Sequence, residues 1–124
     1  QYLPAKGMTK LLRTVSKVQR KINNNLKIAG VAITLADMKT NLAKDTIEMI
    51  HENFGQHFKV FNSVIPVAVK ASEATVSGKS VFSYARDSKV AVAYDELTKE
   101  VIHASKEKQA EDVIRDERGN NEQE

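Results

Sequence analysis

Two short apolar runs, Ile28 to Thr34 and Phe58 to Ile65, constrain this chain more than any other feature. The first, IAGVAIT, has almost no polar residue. Such continuous apolarity predicts a strand buried on both faces, as in a parallel sheet flanked by helices. The second ends in Val60-Phe61-Asn62-Ser63-Val64-Ile65 and is closed by Pro66. A run so short, rich in β-branched residues and stopped by proline, predicts a strand and not a helix. At a strand's end the missing proline N–H breaks no ladder bond. Between the runs, Leu42, Ala43, Ile47, Ile50 and Phe54 form a helical stripe, with Thr40 or Asn41 to cap its start and Gly55 to end it. Strand, helix and strand make a βαβ unit, with a crossover that is right-handed in about 98% of cases. Open α/β sheets bind ligands at loops leaving the C-terminal ends of their strands. The segments after Thr34 and after Pro66 are therefore the functional edge.

The flanking chain supplies helices. Gly7 to Ile22 places Leu11, Leu12, Val15, Val18 and Ile22 on one face, with Lys10, Arg13, Lys17, Arg20 and Lys21 mostly elsewhere, and Asn23-Asn24-Asn25 ends it. After Pro66, Val69 to Ala74 suits one or two turns, and Gly78 suits a chain reversal. A last helix runs from Ser88, capped by Asp87 or Ser88, to beyond His103, with Val90, Ala93, Tyr94, Leu97, Val101 and Ile102 facing inward. Beyond Lys106 the chain turns charged and frays after Gly119, which divides it into a folded part, 1–105, and a partly disordered tail, 106–124. Two strands do not complete a doubly wound sheet. A strand such as Val31 to Thr34 wants neighbours on both edges, and this chain offers one. Gln1-Tyr2-Leu3-Pro4 likewise reads as a start in mid-fold.

Composition narrows the chemistry. Apolar residues make 41% and charged ones 28%, the balance of a globular protein. A net charge of +3 is too mild to identify a nucleic-acid binder by itself. With no cysteine there is neither disulfide nor thiolate chemistry, and a reducing cytoplasm is the expectation. No apolar run approaches the roughly 20 residues that span a bilayer. Gly78-Lys79-Ser80 imitates the end of a phosphate loop, G-x-x-x-x-G-K-[ST], but the first glycine position falls on Glu73. His51, His57 and His103 lack metal-ligand spacing. Asp95 and Glu96 diverge by about 100° on a helix, poor geometry for paired-carboxylate catalysis.

Two motifs carry a resemblance. One is I-P-x-x-V-x-x-S-E-A-x-x-x-G-K followed by an aromatic and S-x-x-A-x-A-Y, met by Ile65, Pro66, Val69, Ser72, Glu73, Ala74, Gly78, Lys79, Tyr84, Ser88, Ala91, Ala93 and Tyr94. The other is G-V-x-x-T-x-x-D-x-R-T, approached by Gly30, Val31, Thr34, Asp37, Lys39 and Thr40. Together they resemble the ParA/Soj branch of partition ATPases, relatives of MinD, over roughly residues 1 to 104. The resemblance is to the C-terminal half of such a protein. It implies an α/β fold: the C-terminal lobe of a P-loop NTPase-type parallel sheet flanked by helices, with the N-terminal half absent.

The resemblance further implies a role in plasmid or chromosome partitioning. In the full-length parent, ATP would drive homodimerisation and non-specific DNA binding, and a ParB-like partner would stimulate hydrolysis. ATP and Mg2+ would be cofactors of that parent, with none expected for this chain alone, which lacks the phosphate loop. Thr34, Asp37, Pro66 and Val67 would flank the adenine, and Lys70, Lys79, Arg86 and Lys89 would contact DNA, since phosphate contacts need only clustered positive charge. The cations of the first helix are denser in sequence and equally open to a DNA-binding or a solvated reading. Several positions depart from the family: Val67 and Ala68 stand for arginine and asparagine, Lys70 for arginine, Ala85-Arg86 for aspartate-proline and Val90 for glycine. Losing guanidinium removes a planar bidentate donor. The location implied is the cytoplasm, at the nucleoid and not at a membrane, because Val113-Ile114 lies among too many acidic residues for a membrane helix. The alternative is a non-enzymatic interaction or regulatory module.

Overall fold

The computed structural model describes residues 2–123, with side chains from Lys6 onward. In chain order the elements are α1 (Tyr2–Lys21), β1 (Val31–Ala36), α2 (Asn41–Phe54), β2 (Val60–Pro66), α3 (Val69–Val76), α4 (Val81–Tyr84) and α5 (Lys89–Asn121). The chain is α/β, and β1 and β2 pair in a two-stranded parallel sheet. The Val31 N–H donates to the Lys59 carbonyl at 2.8 Å, and the Val67 N–H donates to the Ala36 carbonyl at 3.1 Å. Both partners advance together, as parallel strands require. A regular ladder begun at the first bond would bring the Val67 N–H to residue 37. It meets Ala36 instead, so β2 carries one extra residue, as at a bulge. Two departures from strand geometry accompany the offset: the consecutive N–H groups of Asn62 and Ser63 both donate to Glu100, and Leu35 has φ 55°.

β1 differs from the strand expected at Ile28 to Thr34. It begins at Val31 and ends at Ala36. It is not buried on both faces either, since Ala32, Thr34 and Leu35 are exposed. Burial on both faces belongs to an inner strand of a wider sheet, and β1 has a single hydrogen-bonded neighbour.

Contacts divide the chain into two compact units. The first comprises Gln1–Val31 and Met38–Val60 and holds α1 and α2. α1 begins at Tyr2, before the expected Gly7. Pro4 is tolerated in its first turn, where an N–H has no intrahelical partner to lose. Met8, Leu12, Val15 and Val18 are half-buried, whereas Leu11 and Ile22, expected on the same face, are exposed. The helix stops where the Ile22 and Asn23 N–H groups both donate to the Val18 carbonyl, and Gln19 Nε2 donates to the Leu26 carbonyl at 2.9 Å. Thr40 caps α2, its Oγ1 accepting the Ala43 N–H at 3.2 Å. Gly55 closes α2 in a right-handed conformation, φ −64°.

The second unit comprises Ala32–Asp37 and Phe61–Glu124. Its core is Phe61, Ile65, Ala74, Val90 and Ala91, contributed by β2, α3 and α5. Gly78, at φ 67°, makes the reversal between α3 and α4. Ser88 caps α5: its Oγ accepts the Ala91 N–H at 3.3 Å and donates to the Ala85 carbonyl at 2.7 Å. The inward register of α5 is Val90, Ala93, Leu97, Glu100 and Ala104, while Tyr94, Val101 and Ile102, expected inside, are exposed. The helix continues through the charged segment to Asn121, and every described residue after Ala104 is exposed.

Candidate nucleotide and nucleic-acid sites

The C-terminal ends of β1 and β2 lie together, joined by the hydrogen bond from Val67 to Ala36. This edge carries the four residues expected at a nucleotide base. Thr34 is an exposed residue of β1, Asp37 is exposed just beyond it, Pro66 ends β2 half-buried, and Val67 is 61% exposed. Open α/β sheets place their ligands at such strand ends. Between Thr34 and Asp37 stands Leu35, the one described non-glycine residue at positive φ, with its side chain 76% exposed. Left-handed backbone costs an L-residue roughly 1–2 kcal/mol, and strain of this kind gathers at functional loops. Nothing in the sequence signals that angle.

The four cations expected to meet DNA come from consecutive segments of the second unit. Lys70 lies on α3, Lys79 follows Gly78, Arg86 lies between α4 and α5, and Lys89 is the first residue of α5; all four are exposed. Lys70 is partly neutralised. Its Nζ sits 3.4 Å from Glu73 Oε2 and 5.9 Å from the centre of the Tyr84 ring, and the Tyr84 hydroxyl donates to the same Glu73 oxygen at 3.1 Å. That triad ties α3 to α4. Arg86 lines an open cleft of about 320 Å³ with Phe82, Ala91, Val92 and Asp95. Lys89 opposes the positive end of the α5 dipole, an unfavourable place for a cation by about 0.3–1 kcal/mol. Helix stability therefore does not account for it.

Gly78-Lys79-Ser80 joins α3 to α4 and follows no strand, and the Glu73 of that pattern is engaged by Lys70 and Tyr84. A phosphate loop leads from a strand into a helix, so this turn is not one. Among the described residues no group of three His, Asp or Glu side chains is placed to hold a metal ion. His103 instead pairs with Glu107 at 2.9 Å.

Sequence reasoning missed Glu100. Its carboxylate accepts the N–H groups of Asn62 at 2.8 Å and Ser63 at 2.6 Å, and the Ser63 hydroxyl as well. The clue was its spacing, three residues after Leu97 on the inward face of α5. Its charge argued for solvent.

Two parallel strands joined through a helix, with exposed residues at their C-terminal ends, are the arrangement of an α/β fold. No family model matches the chain. It is 37% identical over 102 residues to the chromosome-partitioning ATPase Soj of Treponema pallidum, covering 82% of this chain and 40% of that protein. It is 40% identical over 101 residues to the sporulation initiation inhibitor protein Soj of Bacillus subtilis, covering 82% and 39%. It is 34% identical over 110 residues to the chromosome partitioning protein ParA of Caulobacter vibrioides, covering 89% and 40%. The chain belongs to the ParA/Soj type, and it spans about 40% of the length of these relatives.

Proposed function

We propose that the chain is the C-terminal part of a ParA-like partition ATPase, the lobe that closes the nucleotide site from the base side and presents cations to DNA. The similarity to Soj and ParA proteins over more than four-fifths of the chain carries this reading. The open strand ends support it, and the strain at Leu35, the next-to-last residue of β1, is in keeping with a strand end shaped for a ligand. In the parent, Thr34, Asp37, Pro66 and Val67 flank the adenine, chiefly through backbone groups where Val67 replaces the family's arginine. ATP with Mg2+ is held by a phosphate loop contributed from outside these 124 residues. Nucleotide binding drives homodimerisation and sequence-independent DNA binding through Lys70, Lys79, Arg86 and Lys89. A ParB-like partner triggers hydrolysis and release, in the cytoplasm over the nucleoid. Among the described residues no helix is long and apolar enough to cross a membrane.

Two measurements test this. Without N–H groups to cradle phosphates, the isolated chain binds ATP more weakly than about 1 mM; micromolar binding by calorimetry overturns the assignment as a lobe. In the full-length parent with ATP, Arg86→Ala with Lys89→Ala weakens binding to all DNA sequences alike and flattens its salt dependence. Unchanged affinity and slope remove these residues from the DNA surface.

A further inference from the structure

α1 carries a second cationic surface, in the other compact unit. Lys10, Arg13, Lys17, Arg20 and Lys21 are all exposed. At 3.6 residues per turn they fall within an arc of about 100° of the helix, along a line roughly 16 Å long. The opposite arc holds Met8, Leu12, Val15 and Val18, the apolar half-buried residues of the same helix. The cations therefore point directly away from the side that packs. No aspartate or glutamate occurs between Tyr2 and Lys21. The ion pairs described for this chain, at Lys70, Lys99 and His103, engage none of the five. An ordinary solvated face mixes signs and gains from i,i+4 pairs. This one repels itself along its length, with Lys10 to Arg13 to Lys17 to Arg20 at successive three- and four-residue steps.

The occupant follows from what the face lacks. A helix lying on an anionic membrane inserts an apolar face, with basic residues along the edges. The apolar arc of α1 is already partly covered, and Leu11, 59% exposed, and Ile22, 80% exposed just past its end, lie toward that arc and not among the cations. What remains is a narrow row of positive charge, matched to a row of phosphates. A duplex presents one charge per about 1.7 Å of its axis, more than enough for five cations over that length. We infer that the Lys10–Arg13–Lys17–Arg20–Lys21 face of α1 is a contact surface for the phosphate backbone of a nucleic-acid duplex, separate from the cations after Pro66. The inference rests on the DNA-binding reading above and adds to it a second, independent anchor. Being blind to bases, such an anchor raises affinity for every sequence equally.

The test compares two variants of the 124-residue chain, and the same two in the full-length parent with ATP. One is Lys10→Gln, Arg13→Gln and Lys17→Gln; the other is Lys70→Gln, Lys79→Gln and Lys89→Gln. Glutamine at the exposed helical positions keeps helix propensity, and circular dichroism checks that the fold is retained. The probe is a labelled 30-base-pair duplex of arbitrary sequence, titrated by anisotropy between 50 and 200 mM salt. The α1 variant is expected to bind at least tenfold more weakly at 50 mM salt. Its plot of log affinity against log salt should be shallower by about 2.7, at ~0.9 per lost phosphate contact. If this variant matches the wild type while the other weakens, the α1 surface is refuted and the DNA-binding reading stands. If the parent binds no duplex, both fail. If the α1 variant loses affinity only for phosphatidylglycerol vesicles and not for duplex, the surface belongs to a membrane and the inference is overturned.

Discussion

β1 and β2 lie side by side in one sheet, yet they meet different fates. β1, VAITLA, is the more apolar by sequence and has no buried residue; β2, VFNSVIP, contains an asparagine and a serine and buries Val60, Phe61 and Ile65. Hydrophobicity made both strands. Burial followed from which strand had neighbours. β2 shares its unit with α3 and α5, whose Ala74, Val90 and Ala91 complete the core, and Glu100 of α5 ties down its polar middle. β1 has β2 alone. Under the proposed function, its exposed Ala32, Thr34 and Leu35 are surface that the rest of a Soj-length protein would meet.

The sharpest test of that contrast is a pair of matched truncations. Ile65 is 2% exposed, and Ile65→Ala should cost about 2–5 kcal/mol, the lost transfer free energy plus a cavity. Ile33, half-buried in β1, should cost only about 1 kcal/mol when cut to alanine, since part of its surface is already in water. Urea unfolding of the two variants measures both. Equal costs would mean that β1 is as well packed as β2, and the contrast between them would collapse.

A smaller effect is expected at the clamp on β2. Glu100→Ala strands the N–H groups of Asn62 and Ser63 without their acceptor, at a cost of about 1–3 kcal/mol. Glu100→Gln keeps one carbonyl oxygen and should lose less. Faster hydrogen exchange at Asn62 and Ser63, with the ladder at Val31 and Val67 unchanged, would locate the loss at the clamp. If both variants unfold at the wild-type urea concentration, Glu100 is a surface residue in solution.

The same two strands show how far the sequence could be read. Periodicity and Pro66 placed both strands and the helix between them, because a buried repeat of two or 3.6 residues leaves its mark on residue type. Apolarity alone puts the start of β1 three residues early, since Ile28 to Gly30 are as apolar as the strand itself and no residue marks where pairing begins. The capping hydroxyls of Thr40 and Ser88 were legible, because their chemistry is local. Glu100 was not legible: its partners lie 38 and 37 residues away, and a helical glutamate normally faces water. Apolar periodicity on α5 accordingly points too far toward Tyr94, Val101 and Ile102, which are exposed. The strand-end residues Thr34, Asp37, Pro66 and Val67 came from the family resemblance together with the rule for strand ends. The backbone angle between them came only from the structure.

That angle gives the smallest and most discriminating prediction. Leu35 holds φ 55° with its side chain 76% exposed, so its conformation costs energy that its side chain does little to offset. Glycine adopts this region freely but loses more entropy on folding. The difference favours Leu35→Gly by up to about 1 kcal/mol. Leu35→Ala retains the Cβ and the strain, and should lie near the wild type. A Leu35→Gly chain less stable than Leu35→Ala would show that the leucine side chain has packing in solution and that β1 is better covered than its exposure indicates. If the gain appears, the full-length parent carries the second half of the test. A strand end held in a strained shape for a ligand becomes looser with glycine, so Leu35→Gly should weaken ATP affinity while raising stability, whereas a strand end that merely turns the chain should leave affinity unchanged.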